Sequence, residues 1–315
     1  MSQTGAAVRR PAADGPPAEQ TGRRGRSLLR GLAGTARPRQ WTKNALVAAA
    51  PLAAGRLLEP DVLIATLTAF AALCLAASGT YFLNDARDVE ADRLHPRKRH
   101  RPIAAGLVPV PVAHVTAVAL MAAGVAVAAL GGPALAAVVA AYVVLTVAYT
   151  LVLKHQVLLD LVAVSGGFVL RAAAGGAAAG LELSPFFLLV ASSGSLFMVA
   201  GKRYAEFLLM GEERASTRAS LASYSLSYLH FVWTSAAVVT VLAYCLYAFG
   251  VGTPSPPSPL VELSTLPFVV GVLRYALVID RGDAGAPEDV VLGDRQLQLL
   301  GLLWLAAFST GVVLG

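Results

Sequence analysis

Residues 62–102 read VLIATLTAFAALCLAASGTYFLNDARDVEADRLHPRKRHRP, an uncharged apolar run that passes without a break into a dense series of acids and bases. At a rise of 1.5 Å per residue, residues 62–83 are long enough to cross about 30 Å of hydrocarbon as an α-helix. Working outward, blocks of the same kind recur at about 43–58, 112–131, 133–153, 157–180, 185–203, 229–251, 264–280 and 296–315. They are continuously apolar, with Gly and Ala mixed in. Strands of a membrane barrel would instead alternate apolar and polar residues over about ten positions. The sequence therefore predicts an all-α integral membrane protein, a bundle of about nine transmembrane helices. Composition agrees: 56% of the 315 residues are hydrophobic and 14% charged, with a mean hydropathy of +0.65. That balance excludes a disordered chain, a secreted disulfide scaffold and an ordinary cytosolic domain.

Sidedness follows from charge. With the N-terminus cytoplasmic, 22 Lys and Arg fall in inner segments, Arg56 alone falls outside, and Arg171 and Arg274 lie within spans. So large an asymmetry fixes the orientation and puts most chemistry-capable side chains on the inner face. Cys74 and Cys245 each sit inside an apolar block and read as packing. Residues 1–37 read as a disordered basic cytoplasmic tail, and 38–315 as the polytopic transmembrane domain. Residues 9–37 lack the apolar core of a secretory signal. The tail's expected partner is an anionic lipid surface, with no role for nucleic acid. No GxGxxG or GxxxxGK pattern occurs. Gly166, Gly167, Gly175 and Gly176 are expected to permit close helix contact.

If the second helix continues past the membrane surface, Asn84, Asp88 and Asp92 fall one turn apart on one face, with Asp85 beside Asn84. Oxygen donors at that spacing suit Mg²⁺, with Mn²⁺ as substitute. Mg²⁺ takes one or two carboxylates together with waters and substrate phosphate oxygens. Arg93 and His95 follow at once, then Arg97, Lys98, Arg99, His100 and Arg101. Acid for a metal and base for a phosphate sit side by side. Asn84, Asp85, Asp88 and Asp92 are thus candidate metal ligands, and Arg93, His95, Lys98 and Arg101 candidate phosphate contacts.

NDARDVEADRLHPRKRHRP, residues 84–102, resembles the NDxxDxxxD motif of the UbiA superfamily of membrane prenyltransferases. Its long form, DRxHPxKxxRP, is more specifically similar to the branch that uses phosphoribosyl pyrophosphate. The resemblance runs from RPRQWTKN (37–44) to DRQLQ (294–298). It implies a helical bundle with its active site at the cytoplasmic face. It further implies that Asp85, Asp88 and Asp160 act in catalysis, Asp160 standing in YTLVLKHQVLLD (149–160), the place of the superfamily's second motif. There this chain has one aspartate, with Tyr149, Lys154 and His155 before it and Gln156 where a further acid would favour an aromatic acceptor. Lys43, Lys202, Arg203, Glu206 and Arg218 complete the substrate-binding candidates. Arg171 lies about three turns past Asp160 on the same helical face. It should face the bundle interior, either contacting the acceptor's phosphate or serving as the structural partner of a carbonyl or a buried acid. Arg274, within the eighth block, is read in the same way, and Asp294 and Arg295 in the last inner loop are expected to help close the inner mouth.

The function so implied is Mg²⁺-dependent transfer of the 5-phosphoribosyl group from phosphoribosyl pyrophosphate to a polyprenyl (decaprenyl) phosphate. Pyrophosphate would be released at the inner face of the plasma membrane, and the product would feed cell-wall arabinan synthesis. Two other readings stay open: a prenyl transfer from prenyl diphosphate to an aromatic acceptor, and a transporter with the acids as an ion gate. Oligomer formation is left open by the Gly- and Ala-rich spans.

Overall fold

The computed structural model describes residues 17–210, 223–251, 258–285 and 287–314, and among these all regular structure is helical. In chain order the helices are α1 (Pro17–Ala36), α2 (Ala49–Ala53), α3 (Pro60–Arg87), α4 (Val89–Leu94), α5 (Val110–Leu130), α6 (Pro133–Leu151), α7 (Leu159–Ala179), α8 (Pro185–Met210), α9 (Leu226–Ala248), α10 (Pro259–Leu263), α11 (Thr265–Asp280), α12 (Pro287–Gly293) and α13 (Arg295–Leu314). Proline opens α3, α6, α8, α10 and α12. At a first helical position its missing N–H costs nothing. Eight helical stretches among the described residues are long and apolar enough to cross a membrane, with α10 and α11 together forming one of them.

α3 is the axis of the N-terminal half. Its 28 residues run about 42 Å at 1.5 Å each, well past a hydrocarbon core of about 30 Å. The surplus carries Asn84 through Arg87 beyond the apolar layer, as the sequence requires. α5 lies along α3 so closely that a methyl group on Gly79 would meet the backbone of Ala117 and Met121. Where lipid is as apolar as leucine, such backbone proximity is what binds helices together.

The first expected span departs from expectation. Residues 43–58 do not form one α-helix: a 3₁₀ segment, Pro38–Ala48, continues into the five-residue α2. Pro51 has no N–H to donate to the Val47 carbonyl, so an α-helical bond is impossible at that point. The Val47 carbonyl turns instead onto Gly175 of α7, where any side-chain carbon would overlap it. A 3₁₀ helix rises about 2.0 Å per residue, so its 11 residues and the short α2 still measure about 30 Å. Gly175→Ala is expected to lower stability by about 3 kcal/mol, at the upper part of the overpacking range because backbone must move. Thermal unfolding in detergent checks this, with Gly301→Ala, which meets nothing within 4 Å, as the neutral comparison.

The N-terminal segment is a second departure. Of the tail expected to be disordered, residues 1–16 lie outside the described residues, and Pro17–Ala36 is a helix. Leu28, Leu32 and Ala36 pack on a cluster formed by Phe82, Ala86, Ile103, Val108, Ala113 and Ala117. The same cluster fixes the loop after α4, because Ile103 is only 1% exposed. Arg101, two residues earlier, is thereby held over the end of α3.

Candidate active site

α3 ends at Arg87, and α4 begins at Val89 after the single hinge residue Asp88. Helical hydrogen bonds nonetheless continue through it, from Asp88 N–H to Asn84 O (3.0 Å) and from Asp92 N–H to Asp88 O (2.8 Å). The acidic ladder read from the spacing is therefore real. Each of its aspartates faces a cation. Arg37 Nη2 donates to both oxygens of Asp85 (2.6 and 2.8 Å). Arg101 Nη1 reaches Asp85 Oδ1 at 3.1 Å and Asp92 Oδ2 at 2.7 Å. Lys154, from the turn between α6 and α7, places its Nζ 2.6 Å from Asp88 Oδ1. Asp85 and Asp92 are buried, while the Asp88 side chain keeps 31% exposure.

Hard oxygen donors suit a divalent ion that completes its shell with phosphate oxygens and water. The fit rests on convergence: one nitrogen of Arg101 meets both Asp85 and Asp92, so the two carboxylates point at one cationic position. Among the described residues no three His, Cys, Asp or Glu side chains are placed together to hold a metal ion, so a divalent ion here would draw the rest of its shell from substrate oxygens and water.

Asp160 behaves differently. It is fully buried at the start of α7, where Tyr224 Oη donates to its Oδ1 at 2.6 Å and Arg203 Nε lies 3.5 Å from its Oδ2. Arg203 also holds Glu206 (2.9 Å) and lies within electrostatic reach of Tyr149. The Tyr224 hydroxyl in turn accepts the N–H of Leu158 (2.7 Å), a non-glycine residue at φ 69°. Burial first, and then the bond given to Asp160, push the Tyr224 hydroxyl well above the ordinary phenol range. It stays a donor at all working pH values. Tyr224 thus ties the turn that carries Lys154 to the rest of the bundle.

Other expected contacts have local duties. Arg93 pairs with Glu90 (2.8 Å) and donates to Ala104 O (3.3 Å), bracing its own loop. His95 Nδ1 accepts from the N–H groups of Arg97 and Lys98 (3.2 and 3.4 Å), which turns it into the loop backbone. Lys98 is half-buried on the following 3₁₀ turn, and His155 is exposed on the turn Leu153–His155. Lys43 stands in the 3₁₀ segment and Lys202 on α8 beside Arg203. Arg171 stays inside the bundle: it donates to Asn44 (2.8 Å), Gly167 O (2.9 Å) and Tyr142 Oη (2.7 Å), and lies 4.8 Å from the Tyr142 ring centre. These contacts are of the structural kind, with a carbonyl, an amide and a hydroxyl as partners and no acid. Arg218 lies outside the described residues.

A model of the UbiA prenyltransferase family matches residues 45–308. The chain belongs to the UbiA prenyltransferase family. It is 49% identical over 285 residues to a decaprenyl-phosphate phosphoribosyltransferase of Corynebacterium glutamicum, covering 89% of this chain and 86% of that one. It is 47% identical over 293 residues to a protein of the same name from Mycobacterium tuberculosis, covering 92% and 96%. A UbiA homolog from Archaeoglobus fulgidus, solved bound to DMAPP and Mg²⁺, shares the fold with a TM-score of 0.70 at 14% identity, covering 90% of this chain and 98% of that one. The protein is accordingly a multi-pass membrane protein.

Within the UbiA scaffold, Arg37 and Tyr224 contact the two acidic motifs although spacing alone did not assign them as ligands. Arg37 lay in the RPRQWTKN stretch of the resemblance, the one signal that could have marked it. At the closing loop, Asp294 accepts from the N–H groups of Gln296 (2.9 Å) and Leu297 (3.1 Å) and from Arg274 Nε (3.0 Å). The Leu297 N–H is the largest cause that holds its carboxyl below the usual value of 3.8. A depressed folded-state pKa stabilises the protein above the unfolded value and is lost as pH falls through the folded one. The unfolding midpoint of the wild type should therefore exceed that of Asp294→Ala at neutral pH, and the difference should shrink once pH drops below about 3.8.

Proposed function

We propose that this chain transfers the 5-phosphoribosyl group from phosphoribosyl pyrophosphate to a decaprenyl or related polyprenyl phosphate, releasing pyrophosphate. The observation that carries the reading is near-half identity, over about nine-tenths of the chain, to proteins named decaprenyl-phosphate phosphoribosyltransferase. The geometry supports it. Arg37, Arg101 and Lys154 match the aspartates one for one, and Arg97, Lys98 and Arg99 stand in the same loop as further cations. A donor with both a pyrophosphate and a 5-phosphate, meeting a lipid phosphate, needs that surplus.

Mg²⁺, with Mn²⁺ as substitute, would be held by Asp85, Asp88, Asp92 and Asn84 together with donor oxygens, and when bound supplies charge neutralisation on the departing pyrophosphate. Arg101 and Lys154 bind phosphate oxygens, Arg101 by a planar fork suited to two at once. The lipid phosphate is already anionic near neutral pH, so its attack, with inversion at the ribose C1, needs no strong general base. Positioning and charge neutralisation then lower most of the barrier. The basic loops favour a cytoplasmic mouth in the plasma membrane, an anionic lipid surface beneath the N-terminal segment, and a product destined for cell-wall arabinan.

The test is incubation of the purified chain with Mg²⁺, polyprenyl phosphate and radiolabelled phosphoribosyl pyrophosphate, with EDTA as control. Mg²⁺-dependent label in the organic phase is expected. Absence of label, with transfer from a prenyl diphosphate to an aromatic acceptor instead, would overturn the reading.

A further inference from the structure

The three aspartates of the first motif are neutralised by cations drawn from three separate places in the fold: the junction after α1, the loop after α4 and the turn before α7. Arg37 is the most deliberate of them. It sits at φ 53°, ψ 61°, a left-handed conformation that a non-glycine residue keeps only where its surroundings hold it. Its guanidinium lies on Asp85 and 4.9 Å from the Tyr81 ring centre. Both oxygens of Asp85 accept from it, and one accepts from Arg101 as well. Both oxygens of the carboxylate expected to bind a metal are therefore already paired with guanidinium.

A divalent cation arriving alone would have to displace at least one guanidinium and then sit among cations left without partners, which like-charge repulsion opposes. A cation arriving with a pyrophosphate brings acceptors for whatever it displaces, and arginine pairs with phosphate as readily as with carboxylate. We propose that Arg37 and Arg101 are positioning residues that close Asp85 and Asp92 to a divalent cation on its own and open them to one accompanied by the donor's phosphates, onto which the two guanidiniums transfer. Metal and donor then bind in concert, each raising the other's affinity by the same factor. This rests on the reading that the carboxylates take the metal beside the donor's pyrophosphate.

The test uses Mn²⁺ as an EPR probe on the full chain in detergent, without donor, so that it needs no turnover. Arg101→Gln is expected to bind Mn²⁺ about tenfold more tightly than the wild type, within the usual range of coupling between sites. Arg37→Gln, altered on a different element, should shift the same way. Arg101→Lys, which keeps the charge, should stay near the wild type. Inorganic pyrophosphate should tighten Mn²⁺ binding to the wild type, after subtraction of a protein-free sample, and do so less for the Gln variants. Unchanged or weaker Mn²⁺ binding in both Gln variants would overturn the inference. Asp85→Asn separates the two levels. If it abolishes Mn²⁺ binding while Arg101→Gln and Arg37→Gln bring no gain, only the inference fails. If Mn²⁺ binds equally with Asp85, Asp88 and Asp92 all replaced, the metal reading itself fails and takes the inference with it.

Discussion

Asp88→Ala is expected to lower phosphoribosyl transfer by at least about 10³-fold, about 4 kcal/mol of barrier, while the protein still inserts and unfolds near the wild-type temperature. The two halves of this expectation have different origins. Asp88 sits at the hinge between α3 and α4, its side chain 31% exposed and paired with a Lys154 side chain that is 16% exposed. A pair so placed contributes about 1 kcal/mol or less to stability. Its catalytic weight is larger because Asp88 is the most open of the three aspartates, and so the one that can meet incoming substrate oxygens without unpacking the bundle. Charge placed in advance at a leaving group is among the largest single contributions to catalysis. Asp88→Asn should retain the fold and lose nearly as much activity, since the amide keeps shape without charge. The assay is initial-rate transfer of radiolabel into lipid, alongside thermal unfolding of each variant. Wild-type turnover in a folded Asp88→Ala chain would remove this carboxylate from the site.

What could be read from residues alone follows how local each feature is. The apolar run and the ladder of Asn84, Asp88 and Asp92 depend only on neighbours a turn apart, and both were legible. The contacts that give the ladder its electrostatic state are not local. Arg37 is 48 residues from Asp85, Lys154 is 66 from Asp88, and Tyr224 is 64 from Asp160. No periodicity joins such pairs; only the packing of α1, α3, α7 and the loops does. Arg171 was correctly expected to face inward, because a charge at that depth costs about 2.5 to 3.5 kcal/mol unless satisfied. Its partner Asn44, 127 residues away, could not be named. The first apolar block misled for a backbone reason. Hydropathy reports that a segment is apolar, not how its backbone winds, and the seat for the Val47 carbonyl on Gly175 is a tertiary contact with a distant helix. In the N-terminal segment, arginine, proline and glycine content suggested disorder, while the few apolar residues Leu28, Leu32 and Ala36 suffice to dock the helix they lie on.

Asp160 provides the sharpest separation between a residue that touches substrate and one that holds the site in shape. Superfamily resemblance casts it as catalytic; its complete burial and its contacts with Tyr224 and Arg203 cast it as the anchor of the turn that carries Lys154. Asp160→Ala should cost about 1 to 3 kcal/mol of stability, the usual penalty for a buried polar group left without its partner, because the Tyr224 hydroxyl loses its acceptor while Arg203 keeps Glu206. Asp160→Asn keeps an oxygen for the Tyr224 hydroxyl and should recover a good part of that loss. If Asp160 acts through position, activity should follow the same order, with Asn well above Ala, and the Mg²⁺ concentration for half-maximal rate should stay at the wild-type value in the Asn variant. Tyr224→Phe should reproduce a milder form of the defect, since it frees the Leu158 N–H and loosens the strained backbone next to Lys154. The opposite result is equally readable. Were Asp160→Asn as inactive as Asp160→Ala, stable, and shifted to higher Mg²⁺ demand, the aspartate would have to leave its buried place during turnover and join the metal. The Tyr224 to Leu158 clasp would then be a contact that opens in each catalytic cycle.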